Sequence, residues 1–382
     1  MVLVSILGDY HSSIMPIFFE FKDKITKHII VYDDSKHNNN QLNKILNGQQ
    51  YFLENFEDHK NNTTVDFQII TLKIKEDNYS SLLDCFQSIT KHSTEVENIY
   101  LNATDGLSSI SIVLSSKLLD TGANIIAYDR YANTYNLHSK TDMKKHFIKY
   151  NMDIKNHLLQ KGYTILGYSN HFSLKNRKNI VLELSQDLVE YKKFAKSWPN
   201  HHIRYKNYDT LINKLNIPDS QKKSYIDGVL FEEYIYWLVK DNFDFDEVMT
   251  GVKVKFDDGV ENEFDILMIK DNHLHTIECK FVRFIDGEKF VYKTNTIMDY
   301  LDDDGKAMLL VISGDNITFN HNGKKIIQFS EGDKARGSYD NIKVHQQKIF
   351  NEKDFLEEVK KHFKVKLIRE SKRKSLSDVI NE

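Results

Sequence analysis

The chain has few of the residues that interrupt or cross-link a polypeptide, with 3 prolines and 2 cysteines among 382 residues. Cys85 and Cys279 lie in different halves of the chain and in apolar patterns, so free buried thiols in a reducing compartment are expected rather than a disulfide. No run approaches the roughly 18 apolar residues of a membrane helix, and the N-terminus lacks the basic region of a signal sequence. These absences predict a soluble, cytoplasmic protein with no membrane partner.

An excess of charge of one sign is also missing, since the formal net charge is −3. A constitutive nucleic-acid-binding protein is usually strongly basic, so that class is disfavoured, although a local basic groove is compatible with this charge. The chain has no GxGxxG or GxxxxGK[ST] motif, which disfavours a dinucleotide or nucleoside-triphosphate loop. No cysteine–histidine cluster has zinc spacing. The length allows two domains, and 40% hydrophobic residues are enough to fill their cores.

The clearest positive pattern is a pair of hairpins between Gly251 and Phe281. Runs rich in Val, Ile, Phe and Thr are separated by two turn signals, an Asp-Asp-Gly and a Lys-Asp-Asn sequence. Asp-Gly between alternating runs is a strong hairpin signal. We therefore predict three antiparallel strands, at about 251–257, 260–269 and 273–282.

Acidic and basic residues with potential chemistry lie on the second and third of these strands. Glu278 and Lys280 are two residues apart and so share one face of a strand. Asp265 ends a polar run on the preceding strand, and a hairpin brings it within reach of Glu278. Two carboxylates and an amine suit a hard divalent cation that binds oxygen ligands beside a phosphate. The alternative is a solvated cross-strand ion pair, which a Glu-x-Lys pattern alone more often means.

A fourth acidic residue stands at the start of a predicted helix about 30 residues upstream. Glu232 directly follows the apolar Phe231, and Glu233 is the alternative at the same helix. Acids near a helix N-terminus are also favourable without any catalytic role. Taken together, the helix acid, the Asp and the Glu-x-Lys resemble the PD-(D/E)xK nuclease superfamily.

That resemblance implies metal-dependent hydrolysis of phosphodiesters. It assigns the catalytic roles to Glu232, Asp265, Glu278 and Lys280. It places Mg²⁺ or Mn²⁺ on Asp265, Glu278 and the backbone carbonyl of Cys279, with Glu232 bound through water or to a second ion. Lys280 would orient the nucleophile or stabilise the transition state. Relatives also carry a Lys or Gln on the next helix, for which Lys293 and Lys306 are both candidates.

The N-terminal third alternates strands and helices, which predicts a doubly wound parallel sheet. Such sheets bind ligands at the carboxyl ends of their strands, where three loops here are polar. The third loop is a glycine-containing turn that enters a helix, a feature that suits an anion as well as a simple cap. The predicted strands are Val2–Leu7, His28–Tyr32, Val65–Ile70, Asn98–Leu101 and Asn124–Tyr128. The candidate ligand-binding residues are Gly8, Asp9, Tyr10, His11, Ser12, Asp33, Asp34, Asn102, Thr104, Asp105, Gly106, Leu107 and Ser108.

The first strand with its glycine, the Asn-x-Thr-x-Gly turn and the fused nuclease pattern together resemble CRISPR-associated Rossmann-fold (CARF) effectors. The motif of that family is N-x-T-G-G-T-K, and this chain has Asp105, Leu107 and Ser108 in place of a Gly, the Thr and the Lys. The resemblance implies a homodimer that shares one cyclic oligoadenylate as an allosteric activator in type III CRISPR antiviral defence. Cyclic tetra-adenylate is the favoured ring, and another ring size stays open. The substrate would be single-stranded DNA or RNA, or plasmid DNA.

The expected fold class is therefore α/β, with an N-terminal Rossmann-like sheet and a C-terminal restriction-endonuclease-like α/β/α domain. We expect a CARF-like domain at 1–138, a partly helical connector at 139–222, the nuclease domain at 223–370 and a charged tail at 371–382. Within these regions we predict helices at Leu182–Ala195 and Thr296–Leu301 and a strand-like run at Gly287–Lys293. Two other functions stay open: a nucleotide-sensing regulator without catalysis, and a constitutive restriction or repair nuclease with an N-terminal dimerisation domain.

Overall fold

The structure is a computed structural model that describes most of the chain, and the chain divides into two compact units. The first is Met1–Thr164 with Phe256–Asp258, and the second is Ile165–Lys255 with Gly259–Glu382. The described residues are 1–8, 14–33, 39–55, 67–75, 77–104, 108–198, 206–281, 287–302, 304–312, 318–321, 324–327, 341–347 and 349–368.

The first unit contains a seven-stranded sheet whose first five strands are parallel. Its strands are β1 (Val2–Ile6), β2 (Lys27–Asp33), β3 (Gln68–Ile74), β4 (Ile99–Asn102), β5 (Asn124–Asp129), β6 (Thr134–His138) and β7 (Met143–Phe147). The order is β3-β2-β1-β4-β5-β6-β7, and β6 and β7 are antiparallel additions. The predicted doubly wound sheet is thus confirmed. The domain boundary predicted after residue 138 falls between β6 and β7.

Helices connect the parallel strands, as the alternating sequence pattern predicts. They are α1 (Ile14–Phe21), α2 (Asn39–Asn55), α3 (Tyr79–Lys91), α4 (Ser108–Asp120) and α5 (Ile154–Gln160). The side chain of Asn78 caps α3 by accepting from the backbone N–H groups of Ser80 and Ser81. The strand predicted at Val65–Ile70 begins later, at Gln68, and continues to Ile74.

The second unit contains a six-stranded sheet, and the predicted pair of hairpins forms its centre. Its strands are β8 (Thr164–Gly167), β9 (Glu247–Lys255), β10 (Glu261–Lys270), β11 (His273–Phe281), β12 (Ala307–Ile312) and β15 (Ile342–Gln347), while β13 (Thr318–His321) and β14 (Lys324–Ile327) form a separate ribbon. The order is β15-β12-β11-β10-β9-β8. The three predicted antiparallel strands are confirmed as β9, β10 and β11. Strand β12 pairs in parallel with β11, and β15 pairs in parallel with β12.

The helices of the second unit correct two predictions. They are α6 (His171–Leu184), α7 (Leu188–Ser197), α8 (Lys206–Lys214), α9 (Asp219–Ser224), α10 (Leu230–Asn242), α11 (Gly287–Leu301) and α12 (Glu352–Phe363). The single helix predicted at Leu182–Ala195 is wrong, because Asp187 caps a new helix by accepting from the N–H of Glu190. The strand-like run predicted at Gly287–Lys293 is also wrong. It opens α11, which buries Val291, Met298 and Leu301 at helical spacing.

Helix α10 lies at the centre of the second core. A π-helical turn, Tyr225–Val229, joins α9 to it, and every residue from Leu230 to Val239 except Glu232 is buried. Among the helices that the structure describes, none is both long and apolar enough to cross a membrane.

Candidate active site

Strand pairing brings the acidic residues of the predicted nuclease motif to the same place. In the β10–β11 ladder Ile266 pairs with Ile277, so Asp265 stands opposite Glu278 one step further along. Asp265 is buried, with 8% of its surface exposed, whereas Glu278 and Lys280 are partly exposed. The site is therefore built on rigid strands with one open side.

Lys280 links the two carboxylates. Its Nζ lies 2.6 Å from Oε1 of Glu278 and 3.3 Å from Oδ2 of Asp265. The backbone N–H of Cys279 donates to the same Asp265 oxygen at 2.7 Å. These contacts fix the orientation of the Asp265 carboxylate toward the edge of β11. The ammonium occupies the position between the acids that a cation would favour.

Glu232 completes this cluster from the first turn of α10. Burial, followed by the charge of Asp265, raises its pKa from 4.5 to about 8. Burial and the charge of Glu278 likewise raise the pKa of Asp265 to about 6, and Lys280 opposes this shift. Burial disfavours the charge on Lys280, but Asp265 and Glu278 outweigh burial and raise its pKa. Glu232 therefore senses the strand acids electrostatically, as an acid of the same site does.

This donor set fits a hard divalent cation. Glu232, Asp265 and Glu278 supply three carboxylates, and Lys280 supplies the one ammonium bound among them. Burial, followed by the charges of the neighbouring acids, raises the pKa values of Glu232 and Asp265, so a further positive charge would favour their ionised forms. A divalent ion with oxygen ligands would supply that positive charge, so the residues match Mg²⁺ or Mn²⁺.

The structure distinguishes between the two adjacent helix acids that the sequence left open. Glu233 points away from the strand acids and is only 1% exposed. Nη2 of Arg177 donates to its Oε1, and Nε of Arg177 donates to its Oε2 at 3.3 Å. The hydroxyl of Tyr225 also donates to Oε2, at 2.9 Å. Glu233 is thus held by structural partners, which leaves the position beside Asp265 to Glu232.

Sequence reasoning missed the residues that support Asp265 from β9. In the β9–β10 register, Gly251 stands between the pairs Val252–Phe264 and Thr250–Ile266, and so opposite Asp265. Gly251 has φ +61°, a conformation in which a larger residue would be strained. Thr250 Oγ1 donates to the carbonyl of Asp265 at 2.7 Å. The glycine inside an otherwise alternating strand was the available signal.

Of the two candidate lysines, Lys293 lies on α11, whereas Lys306 lies between the end of α11 and the start of β12. Lys306 donates from Nζ to the carbonyl of His362 at 2.7 Å, and burial lowers its pKa. Lys293 is exposed on α11. Neither observation favours the role that the resemblance gives to one of them.

A second group of possible metal ligands lies at the opposite end of β11. Ligand atoms of His273, Asp302 and Asp304 fall within 4.8 Å of one another. Asp302 already accepts from the N–H of Leu274 at 2.9 Å and from the N–H of Asp304 at 3.0 Å. These contacts give the group a structural role, because they fix the chain between α11 and β12.

The first unit presents part of the predicted ligand loops at one sheet edge. Gly8 follows β1, Asp33 ends β2 and Asn102 ends β4, all at the carboxyl ends of parallel strands. Thr104 Oγ1 donates to Asn102 Oδ1 at 2.6 Å and accepts from the N–H of Tyr128 at 2.9 Å. Ser108 begins α4. The other predicted ligand residues, Asp9, Tyr10, His11, Ser12, Asp34, Asp105, Gly106 and Leu107, lie outside the described residues.

The strand order also identifies this edge as a ligand-binding location. From β1 the chain continues into β2 and β3, which lie on one side of β1, while β4 and β5 lie on its other side. In open α/β sheets, ligands bind at such a switch point, beyond the carboxyl ends of the strands. Asn102 and Thr104, beside β1, are therefore placed where a ligand is expected.

Comparison with known proteins finds a family similarity within the second unit and solved structures that share the fold of most of the chain. Residues 219–346 match the family model of the Card1-like endonuclease domain. No curated protein sequence matches the chain significantly. The structure of Can2 from Sulfobacillus thermosulfidooxidans in complex with cyclic tetra-adenylate superposes with a TM-score of 0.65 at 16% identity, over 94% of this chain and 98% of that chain.

Two further solved structures share the fold. Protein VC1899 from Vibrio cholerae superposes with a TM-score of 0.66 at 14% identity, over 95% of this chain and 96% of that one. A type III CRISPR defence DNA nuclease activated by cyclic oligoadenylate gives 0.51 at 11% identity, over 89% of this chain and 52% of that one. The expected two-part fold is thereby confirmed, and residues 219–346 are similar to the Card1-like endonuclease domain.

Proposed function

We propose that the chain is a metal-dependent endonuclease of type III CRISPR defence whose activity is switched on by a cyclic oligoadenylate. The observation that carries the proposal is the cluster of Glu232, Asp265, Glu278 and Lys280 inside a Card1-like endonuclease domain. The Rossmann-like first unit supplies the sensor, because its polar strand ends lie at the switch point of the sheet.

Asp265, Glu278 and the carbonyl oxygen of Cys279 would hold the Mg²⁺ or Mn²⁺ ion, and Glu232 would bind through water or to a second ion. Such an ion, when bound, lowers the pKa of water and neutralises negative charge on the phosphate. Lys280 is positioned to hold the attacking water or an oxygen of the pentavalent phosphate, since its ammonium already lies between the two strand acids. Cys279 positions Asp265 through its backbone N–H.

The activator in this proposal is cyclic tetra-adenylate, bound by a homodimer. The cyclic tetra-adenylate complex of Can2, which has the same fold along most of both chains, supports that choice. Asn102 and Thr104 would contact the ring from β4, with Gly8 and Asp33 beside them. A ring that binds the active arrangement of the nuclease domains better than the resting one shifts the population toward cleavage.

The substrate class is nucleic acid, with DNA favoured because one neighbour of the same fold is a DNA nuclease. The net charge of −3 suits an enzyme that stays off nucleic acid until it is activated. We place the protein in the cytoplasm, where its two free, buried thiols stay reduced.

Cleavage of labelled single-stranded DNA and RNA, and of supercoiled plasmid, tests this proposal. Each substrate is incubated with Mn²⁺ and with cyclic tri-, tetra- or hexa-adenylate, and a Glu278→Ala/Lys280→Ala variant serves as control. We expect cleavage with cyclic tetra-adenylate only, and none in the variant. Cleavage that needs no ring would make the chain a constitutive nuclease. Binding of a ring without cleavage of any substrate would make it a non-catalytic regulator.

A further inference from the structure

A cavity of about 260 Å³ lies beside the first turn of α10, within the second unit. Polar side chains make up most of its lining, including Ser169, Arg177, Gln221, Ser224, Tyr225 and Glu233. Ligand pockets of this kind combine a few convergent polar groups with apolar walls, which here come from Ile217, Pro218 and Val229. The volume suits a group smaller than a drug-sized ligand.

The cavity contains a fixed charged pair with hydrogen-bonding capacity to spare. Arg177 uses Nε and Nη2 to bind Glu233, and Tyr225 donates to the same carboxylate. A guanidinium has five N–H donors in a planar fork, so Arg177 keeps donors for a ligand after it has bound Glu233. Glu233 and Tyr225 are buried, which fixes the position of the fork. A rigid fork of N–H donors is suited to a planar group with acceptors along its edge.

Two pairs of neighbouring residues place this cavity near the catalytic cluster. Glu233 lines the cavity, and its chain neighbour Glu232 belongs to the catalytic cluster. On β9, a Cβ added to Gly251 would lie 2.8 Å from Oγ of Ser169, a lining residue, and Gly251 stands opposite Asp265. The cavity therefore lies next to the catalytic cluster, on the side of β9.

Two exposed aromatic side chains lie near the lining residue Ser169 in the sequence. Tyr168 directly precedes Ser169 and Phe172 follows it by three residues, and they are 57% and 72% exposed. Aromatic side chains are the usual stacking platforms for unpaired bases. Two such rings next to a cavity with a donor fork point to a nucleobase as the occupant.

We propose that this cavity receives an unpaired nucleobase of the substrate strand, next to the phosphate that is cut, and that it thereby sets the base preference of cleavage. The inference rests on the proposed nuclease function and adds a specificity site to it. Arg177 selects a base with adjacent acceptors on its edge, while Tyr168 and Phe172 stack on the neighbouring bases. A base in a duplex would have to be extruded first, so single-stranded substrate is favoured.

The test introduces a large side chain at an exposed residue that lines the cavity. The control introduces the same side chain at an exposed residue of the same helix that does not line the cavity. Ser224 and Ser220 are both exposed serines of α9, and only Ser224 lines the cavity. The full chain, with its activating ring and Mn²⁺, cleaves a single-stranded oligonucleotide of random sequence, and the new ends are sequenced. We expect wild type and Ser220→Trp to share a preference of about 10-fold at one position beside the cut, as one bidentate base contact gives. Ser224→Trp should abolish that preference, so that all four bases occur equally often at that position.

A second variant keeps the result decisive if the tryptophan also blocks cleavage. Gln221→Ala removes an exposed lining group without filling the cavity, and it should weaken the base preference at the position beside the cut. Unchanged preference in both variants, or a wild type that cleaves every sequence equally, would overturn the specificity site and leave the nuclease intact. A wild type that cleaves no substrate with any ring would overturn the proposed function, and this inference with it.

Discussion

Two adjacent carboxylates on α10 have opposite surroundings, and the contrast separates function from structure in this domain. Glu233 is almost fully buried but has Arg177 and Tyr225 as partners. Glu232 is less buried, yet its pKa rises to about 8 because burial and the strand acids disfavour its charge. A buried carboxylate is stabilised by direct hydrogen bonds from a guanidinium and a hydroxyl, as Glu233 is, whereas burial beside other acids disfavours the charge of Glu232.

The same contrast explains why the uncompensated side is the candidate active site. Asp265 also has a raised pKa, and among the described residues Lys280 pairs with both strand acids. Perturbed titratable groups that gather in one place are typical of sites that bind a cation or do chemistry. The Glu233 side, in contrast, connects α10 to α6 and lines a cavity. The predictions below alter one side or the other.

The largest expected effect is loss of cleavage when the ammonium of the catalytic side is removed. Lys280→Ala should lower the cleavage rate on the order of 100- to 1000-fold, the usual effect of deleting one transition-state donor. Initial rates with the activating ring and Mn²⁺ measure it. The matched control is Lys343→Ala, which breaks the exposed Lys343–Glu358 pair and should leave the rate unchanged. A Lys280→Ala rate close to wild type would remove Lys280 from the site.

On the compensated side, removing the partner should destabilise the fold. Arg177→Ala leaves the buried carboxylate of Glu233 without its cation, which costs about 3–5 kcal/mol of the free energy of unfolding. Denaturant titration measures this loss. Lys223→Ala breaks the exposed pair with Asp227 and should cost less than about 1 kcal/mol. Equal losses for the two variants would mean that Glu233 has no need of its partner.

Binding of a divalent ion to the catalytic cluster should stabilise the folded protein, and the gain should grow with the ion concentration. At a Mg²⁺ concentration about 100 times its dissociation constant, the free energy of unfolding should rise by about 2.7 kcal/mol. Thermal melting with and without Mg²⁺ follows this gain. Glu278→Gln should lose most of it, whereas Glu352→Gln, on α12, should retain it. A gain that survives in Glu278→Gln would place the ion elsewhere.

The last expected effect is a pH dependence of stability in the metal-free protein. The pKa of Glu232 is 4.5 unfolded and about 8 folded, so the folded state holds its proton more tightly. The free energy of unfolding should therefore fall as the pH rises from about 4.5 to 8, and then level off. Glu232→Gln removes this contribution, so its melting temperature should exceed that of wild type by more at pH 8.5 than at pH 5. The control is Glu261→Gln at an exposed residue, whose curve of melting temperature against pH should run parallel to that of wild type. A parallel curve for Glu232→Gln would contradict the raised pKa of Glu232.

The catalytic residues could be predicted from the sequence because most of them lie on strands. A period of two places Glu278 and Lys280 on one face, and a two-turn meander fixes which residue of β10 meets them. The choice between Glu232 and Glu233 could not be made in this way. It depends on Arg177, a residue 56 positions away on α6, and no local pattern reports such a contact.

Helices and strands of the connecting regions were harder to predict for a similar reason. Residues 287–293 contain Phe, Val and Tyr, which favour a strand, but the sequence continues into a buried helical stripe that ends at Leu301. Strand β7 carries exposed and charged residues, and what makes it a strand is its pairing with β6, which itself pairs with β5, rather than its own pattern. Tertiary context decided both cases.

Direct measurement of Mn²⁺ binding tests the central claim, that the strand acids form the metal site of a nuclease. Electron paramagnetic resonance titrations would be run on wild type, Asp265→Asn and Asp304→Asn, the last representing the cluster at the other end of β11. We predict binding to wild type, loss of at least about 10-fold in affinity for Asp265→Asn, and no change for Asp304→Asn. Unchanged affinity in Asp265→Asn together with a loss in Asp304→Asn would contradict the account.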